Sequence, residues 1–289
     1  MIWFSLSLLT ALLVSTEDAW VKRSFSHLSS YEMSAYPLVY SLPLFICAVF
    51  FISVPSLDPV FFWYFLIALP LNGVAYLLYI KALKVSPLSL TIPYLAFTPA
   101  FTIFTGYIFL DETPTWWSGL GILIVCVGGY ILNVNFEKWT FFTPLKAIGK
   151  ETGSWIMLIV SFLFSFAAVI GKVMIVHSSP LFFAVSFFTG FNVVFLLFLF
   201  ISGKILPGTF INAPIKGTIA GTLFFFHIFT HVLAISLTKA VYMISIKRLS
   251  VLFSIIYGGV IFKEKNLFMR FCGALLMFIG AALILFKGN

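Results

Sequence analysis

Residues 94–132 read YLAFTPAFTIFTGYIFLDETPTWWSGLGILIVCVGGYIL, and residues 246–284 read IKRLSVLFSIIYGGVIFKEKNLFMRFCGALLMFIGAALI. Slid onto one another by 152 positions, they bring Gly106 onto Gly258, Glu112 onto Glu264, Gly121 onto Gly273 and Gly128 onto Gly280. Each copy is an apolar run, a short charged hinge carrying a Glu, and a second apolar run punctuated by glycine. Each therefore reads as a helical hairpin with too few polar side chains for a water-facing surface. A repeated unit of this length sets the architecture before any single residue does; here it says that the protein is built twice.

Composition agrees. Of 289 residues, 62% are hydrophobic, 19% aromatic and only 9% charged, and the mean hydropathy is +1.13. A soluble domain is about 25% charged, so lipid is the solvent for most of this chain. A span takes about 20 apolar residues, which leaves room for about ten spans joined by short loops. The net charge of +8 is spread among those loops, the pattern by which Lys and Arg orient a membrane protein; it does not mark a nucleic-acid surface. Cys47, Cys126 and Cys272 all fall inside apolar runs and read as small packing residues with no disulfide framework. The opening MIWFSLSLLTALLVS lacks a basic leader and a small-residue cleavage site, so it reads as a retained first span.

The fold class expected is an all-α integral membrane protein of about ten transmembrane helices, arranged as two inverted five-helix repeats. The spans fall at 2–21, 33–54, 60–82, 87–110, 114–134, 153–176, 180–202, 214–237, 241–262 and 266–286. Pro37, Pro43, Pro70, Pro93 and Pro99 lie within the second, third and fourth spans and should kink them. Residues 135–152, NFEKWTFFTPLKAIGKET, alternate charge with aromatic rings, as an interfacial segment does. They divide the chain into a first repeat (1–137), a linker (138–152) and a second repeat (153–289). Five spans on either side make the second copy run upside down relative to the first, an arrangement common among transporters. Twelve Lys and Arg fall on the side reached after the first span and two on the other. That bias places both termini outside the cytoplasm, the expected host being a bacterial cytoplasmic (inner) membrane.

These hairpins, each ending in apolar–Gly–x–x–x–(Leu/Phe)–x–Glu before a Gly-rich helix, resemble the EamA-type branch of the drug/metabolite transporter superfamily. The matching positions are Gly106, Glu112, Gly121 and Gly128, then Gly258, Glu264, Gly273 and Gly280. The run KALKVSPLSLTIPYLAFTPAFT (81–102) resembles the family's passage from third to fourth helix. The resemblance implies alternating access around a central cavity, lined mainly by helices one, three, four, six, eight and nine. It also implies cytoplasmic termini, which the charge count opposes.

Several polar residues within the spans are candidates for the substrate pathway. Glu17 and Asp18 end the first span. An ionised group in the bilayer core costs about 2.5–3.5 kcal/mol on insertion scales, so they either line a cavity or snorkel towards Lys22 and Arg23. In the sixth span Ser154, Ser161, Ser165, Ala168 and Lys172 make one small-polar stripe. It reads as a helix–helix seam, with Lys172 serving a cavity or an ion pair. Lys247 and Arg248 lie in the ninth span, at positions matching Leu95 and Ala96 in the first copy. Adjacent residues on a helix point about 100° apart, so either one binds an anion while the other pairs with an acid such as Glu17 or Asp18, or they serve a structural ion pair that holds two helices together. His227 and His231 share a face and suit a proton-sensitive pair or a helix contact better than a metal site. Asn72, Tyr76 and Tyr79 form a polar-aromatic face on the third span, and Tyr94 does so with Thr98 on the fourth. Glu112 and Glu264 read as structural, each supporting the start of the helix that follows it. Gly217 and Gly221 read as a packing face.

The function expected is a secondary transporter of a small polar organic metabolite, with a flippase for a lipid-linked phosphorylated head group as the alternative. The sequence has no nucleophile elbow, paired-aspartate or metal-ligand motif and no Gly-Lys-Ser/Thr phosphate loop, so neither an enzyme nor a cofactor is expected. The expected partners are a small-molecule substrate and the bilayer, with proton coupling left open and the chain a monomer or homodimer.

Overall fold

The computed structural model describes residues 1–131, 151–262 and 267–287. The linker 138–152, apart from its last two residues, the hinge Glu264 and the side chain of Cys272 lie outside the described residues.

The first half holds α1 (Ile2–Phe25), α2 (Ser30–Val49) and α3 (Pro59–Val85). An interrupted passage follows, made of α4 (Leu88–Thr91), a 3₁₀ stretch (Ile92–Phe97) and α5 (Thr98–Leu110), and then α6 (Trp116–Ile131). The second half holds α7 (Thr152–Val176), α8 (Pro180–Ile201), a 3₁₀ turn (Pro207–Asn212) and α9 (Pro214–Ser236). A second interrupted passage, α10 (Ala240–Lys247) and α11 (Ser250–Phe262), precedes α12 (Leu267–Lys287). Among the described residues there is no strand. Among the described residues eight helical stretches are long and apolar enough to cross a membrane, and α6 and the stretch Leu275–Lys287 are shorter apolar helices. Lipid offers backbone groups no hydrogen-bond partner, which is why a chain this apolar resolves into helices.

Local chemistry sets the ends. Ser29 and Glu32 form a capping box at the start of α2, so α2 begins earlier than the apolar pattern suggests. The Asp58 side chain accepts from the Phe61 N–H at the start of α3, with Pro59 at the first helical position. Asp58 also bonds His177 at the end of α7, 2.6 Å away, which puts the start of α3 and the end of α7 at one face. Pro37, Pro43 and Pro70 lie inside helices as expected. Pro93 and Pro99 do not: they occupy the opening positions of the 3₁₀ stretch and of α5, where a missing N–H costs least.

The helices pair across the halves. α3 packs on α7 and α1 on α9; α5 packs on α7 and α11 on α1; α6 packs on α12. Exchanging each helix for its counterpart in the other half turns each of these contacts into another on the same list. Between α6 and α12 the repeated glycines meet each other. A Cβ on Gly121 would stand 2.8 Å from the Gly280 carbonyl oxygen, and one on Gly128 would stand 2.8 Å from that of Gly273. With no hydrophobic drive between helices in lipid, such close backbone approach supplies the packing. Gly217 and Gly221 do the same for α9: Cβ atoms there would fall 2.2 Å from the Tyr40 ring and 2.4 Å from the Tyr40 backbone carbon of α2.

A Gly221→Val substitution is expected to lower stability by about 1–3 kcal/mol through overpacking against backbone that cannot retreat. Gly119, where a Cβ meets nothing within 4 Å, is expected to accept Ala without a fall in Tm. Thermal unfolding in detergent checks both.

Candidate functional site

The polar residues of the spans converge because α1 is wrapped by α9, α10 and α11. Glu17 and Asp18, each 5% exposed, face inward and do not snorkel to Lys22 or Arg23. Glu17 Oε2 lies 2.9 Å from His227 Nδ1. The Tyr79 hydroxyl donates to Asp18 Oδ2 at 2.5 Å. From α10, Lys247 Nζ lies 3.1 Å from His227 Nε2 and 3.4 Å from His231 Nδ1. With the lysine as donor, His227 Nε2 accepts and its Nδ1–H donates to Glu17. Lys247, His227 and Glu17 thus form one chain that joins α10, α9 and α1.

Arg248 differs from its neighbours. It is 4% exposed, and its Nε finds no hydrogen-bond partner among the described residues. Asp18, an acid expected to pair with a base, accepts from Tyr79 and lies within electrostatic reach of both Lys247 and Arg248.

These groups surround a cavity of about 140 Å³. Of the residues singled out in the sequence, Glu17, Asp18, Asn72, Tyr76, Tyr79, His227, His231, Lys247 and Arg248 line it. Tyr94 and Lys172 do not. Tyr94 is buried in the packed core with a hydrogen bond to Ser154. Lys172 is held by the Glu112 carboxylate and the Thr238 carbonyl. The serine stripe of α7 is a seam: Ser161 and Ser165 bond back to Leu158 and Phe162, and Thr105 of α5 lies against the Ser165 carbonyl at 3.4 Å.

Two expectations need correction. Lys247 and Arg248 were expected to diverge by 100°, yet both line the cavity. Arg248 still closes the last helical turn on the Ile244 carbonyl, so it is the reach of the two long side chains that brings both to the cavity, and the helix breaks just after Arg248. Across the gap the Leu249 N–H bonds Ile246 and the Val251 N–H bonds Arg248, tighter turns than an α-helix makes. At the matching place in the first half, Leu95 and Ala96 fall inside the 3₁₀ stretch, so both halves break at the same register. Glu112, expected to support the helix that follows it, caps another: its Oε2 accepts the Ala240 N–H at 2.8 Å, at the start of α10.

The aromatic wall escaped the sequence reading. Phe183, Phe187 and Phe191 line the cavity from α8, each stacked on the next at 5.4 and 6.2 Å between ring centres. Their spacing of four residues is the signal that could have found them. With 37 Phe in the chain, it did not stand out.

Residues 1–134 match the family model described as "EamA-like transporter family". No curated protein matches the chain. A solved chain titled "Crystal structure of protein" shares the fold at a TM-score of 0.70 and 12% identity, the match covering 99% of this chain and 97% of that one. A multi-pass set of apolar helices and the cavity within it accompany that match: residues 1–134 are similar to the EamA-like transporter family, membrane transporters of the drug/metabolite transporter superfamily.

Proposed function

We propose that this protein is a secondary transporter that carries a small polar organic metabolite bearing a carboxylate or phosphate, by alternating access around the cavity between two inverted five-helix halves. The observation that carries the reading is Arg248. A guanidinium is always charged and offers five donors. Buried with its Nε unbonded it is costly, and truncating or pairing such a group changes the energy of the site by kilocalories. An anionic group of the substrate is the partner that the site lacks. The remaining polar groups are already satisfied by one another, so they orient the solute while Arg248 binds its charge. The aromatic wall from α8 suits the apolar body of the same molecule.

The inverted arrangement draws support from three features. The helix contacts exchange in pairs between the halves. The repeated glycines of α6 and α12 meet each other's counterparts. The two interrupted passages break 152 positions apart. Broken helices at mid-span are where such transporters place substrate, because the interruption frees polar groups at a depth where lipid cannot reach them. The interfacial linker, the termini outside the cytoplasm and an energy supply through a proton gradient belong to the same reading. The Lys247–His227–Glu17 chain is the natural path for the proton.

Reconstituted in liposomes, the protein is expected to exchange at least one carboxylated or phosphorylated metabolite in a counterflow assay across a metabolite library. A library in which nothing moves would sink the proposal. For any solute that does move, Glu17→Gln removes the negative charge facing His227 and is expected to slow exchange by about tenfold, the equivalent of roughly 1.4 kcal/mol. An unchanged rate would take Glu17 out of the pathway.

A further inference from the structure

The most polar inter-half contact outside the cavity is a corner where the turn between α5 and α6 docks on the second half. Glu112 pairs with Lys172 near the end of α7 and caps Ala240 at the start of α10. Lys172 also donates to the Thr238 carbonyl, in the turn before α10. Beside them Lys239 Nζ donates to the Thr113 carbonyl at 2.6 Å. The Thr115 N–H donates to the Tyr242 hydroxyl at 3.1 Å, and the Thr115 hydroxyl lies 3.1 Å from the Lys287 carbonyl. Three residues of the first half, Glu112, Thr113 and Thr115, thus hold the ends of α7 and α12, the turn before α10 and the beginning of α10. The side chains of Lys172 and Glu112 are 11% and 15% exposed, sheltered enough for the pair to count yet close enough to water to come apart.

A lysine recurs at the other end of the bundle. Lys22, near the end of α1, donates to the carbonyls of Leu83 and Ser86 at 2.6 and 2.5 Å. Ser86 lies 152 positions before Thr238, so the lysine-to-carbonyl tie occurs in both halves. Each such tie stays within its own half and moves with it. Glu112 is different in kind, because its carboxylate crosses from the first half to the second. Its two oxygens do two jobs: one holds Lys172, the other fixes the first N–H of the short helix whose far end presents Lys247 and Arg248 to the cavity. Movement of one half against the other at this face therefore has to break the Glu112 contacts, and breaking them releases α10.

We propose that Glu112 and Lys172 form a latch that closes the membrane face bearing the α5–α6 and α9–α10 turns, and that Glu112 positions α10 while the latch is shut. The proposal rests on the transport reading, since a latch matters only where the two halves move.

The test uses full-length protein in detergent, with Cys47, Cys126 and Cys272 replaced by Ser and one reporter cysteine added. Ile235→Cys sits in the cavity wall near the end of α9. Leu83→Cys sits buried at the end of α3, the opposite face from Asp58 and His177. The rate of labelling by a hydrophilic maleimide is measured without substrate. Glu112→Gln and Lys172→Met are each expected to raise the Ile235→Cys rate by about tenfold, within the usual span of couplings between sites, and to leave Leu83→Cys protected. Lys172→Arg, which keeps the pair, is expected to stay slow. No rise at Ile235→Cys, or an equal rise at Leu83→Cys, would overturn the latch and leave Glu112 a general stability contact. If Glu112→Gln fails to fold, Lys172→Met against Lys172→Arg decides alone. Because labelling needs no solute, a latch that passes this test while counterflow fails contradicts the transport reading alone, and the converse contradicts the latch alone.

Discussion

A polar group taken into the bilayer core must find its partner inside the protein, because no water is there to serve. That constraint governs the molecule at every level. It turns a chain of 62% hydrophobic residues into helices, whose backbone groups satisfy one another. It gathers most of the ionisable side chains of the spans into one cluster, where Glu17 meets His227, His227 meets Lys247 and Asp18 meets Tyr79. It also makes the exceptions informative: of the buried polar atoms without a hydrogen-bond partner among the described residues, Arg248 Nε is the one that belongs to a charged group lining the cavity.

The same constraint shapes what lies between the halves. Helices in lipid gain little from hydrophobic attraction and hold together by close packing and hydrogen bonds. The α6–α12 seam uses the first, through glycines that admit the opposing backbone. The Glu112 corner uses the second. The two differ in how they respond to movement. Interlocked backbone yields only by separating, whereas an ion pair near the membrane face can exchange its partners for water.

Much of the fold was legible in the sequence, for physical reasons. Lipid demands long apolar runs, so the helical passages follow hydropathy, and proline and glycine mark many of their ends. The repeat was legible because the glycines and hinge residues that pack the two copies are constrained to stay alike. Candidate residues of the cavity were legible for the opposite reason: Glu17, His227 and Lys247 are expensive in a span and stand out against Phe and Leu. Other features were hidden. The capping box of Ser29 and Glu32 is a short local pattern outside the apolar run. The break after Arg248 has no proline or glycine to announce it, so the chain there reads as an unbroken helix. The partner of Glu112 lies 128 residues away at Ala240, and nothing local could identify it. The Phe wall of α8 was lost among many equivalent rings.

The central claim is that the buried guanidinium of Arg248, whose Nε is unbonded, receives an anionic group of the substrate. Its most direct measurement is ligand-induced thermal stabilisation of the purified protein, using pairs of metabolites that differ only in bearing a carboxylate or its amide. The wild-type protein is expected to gain Tm with the carboxylate member of at least one pair and not with the amide, and Arg248→Gln is expected to lose that gain. Equal stabilisation by both members, or a gain that survives in Arg248→Gln, would contradict the account.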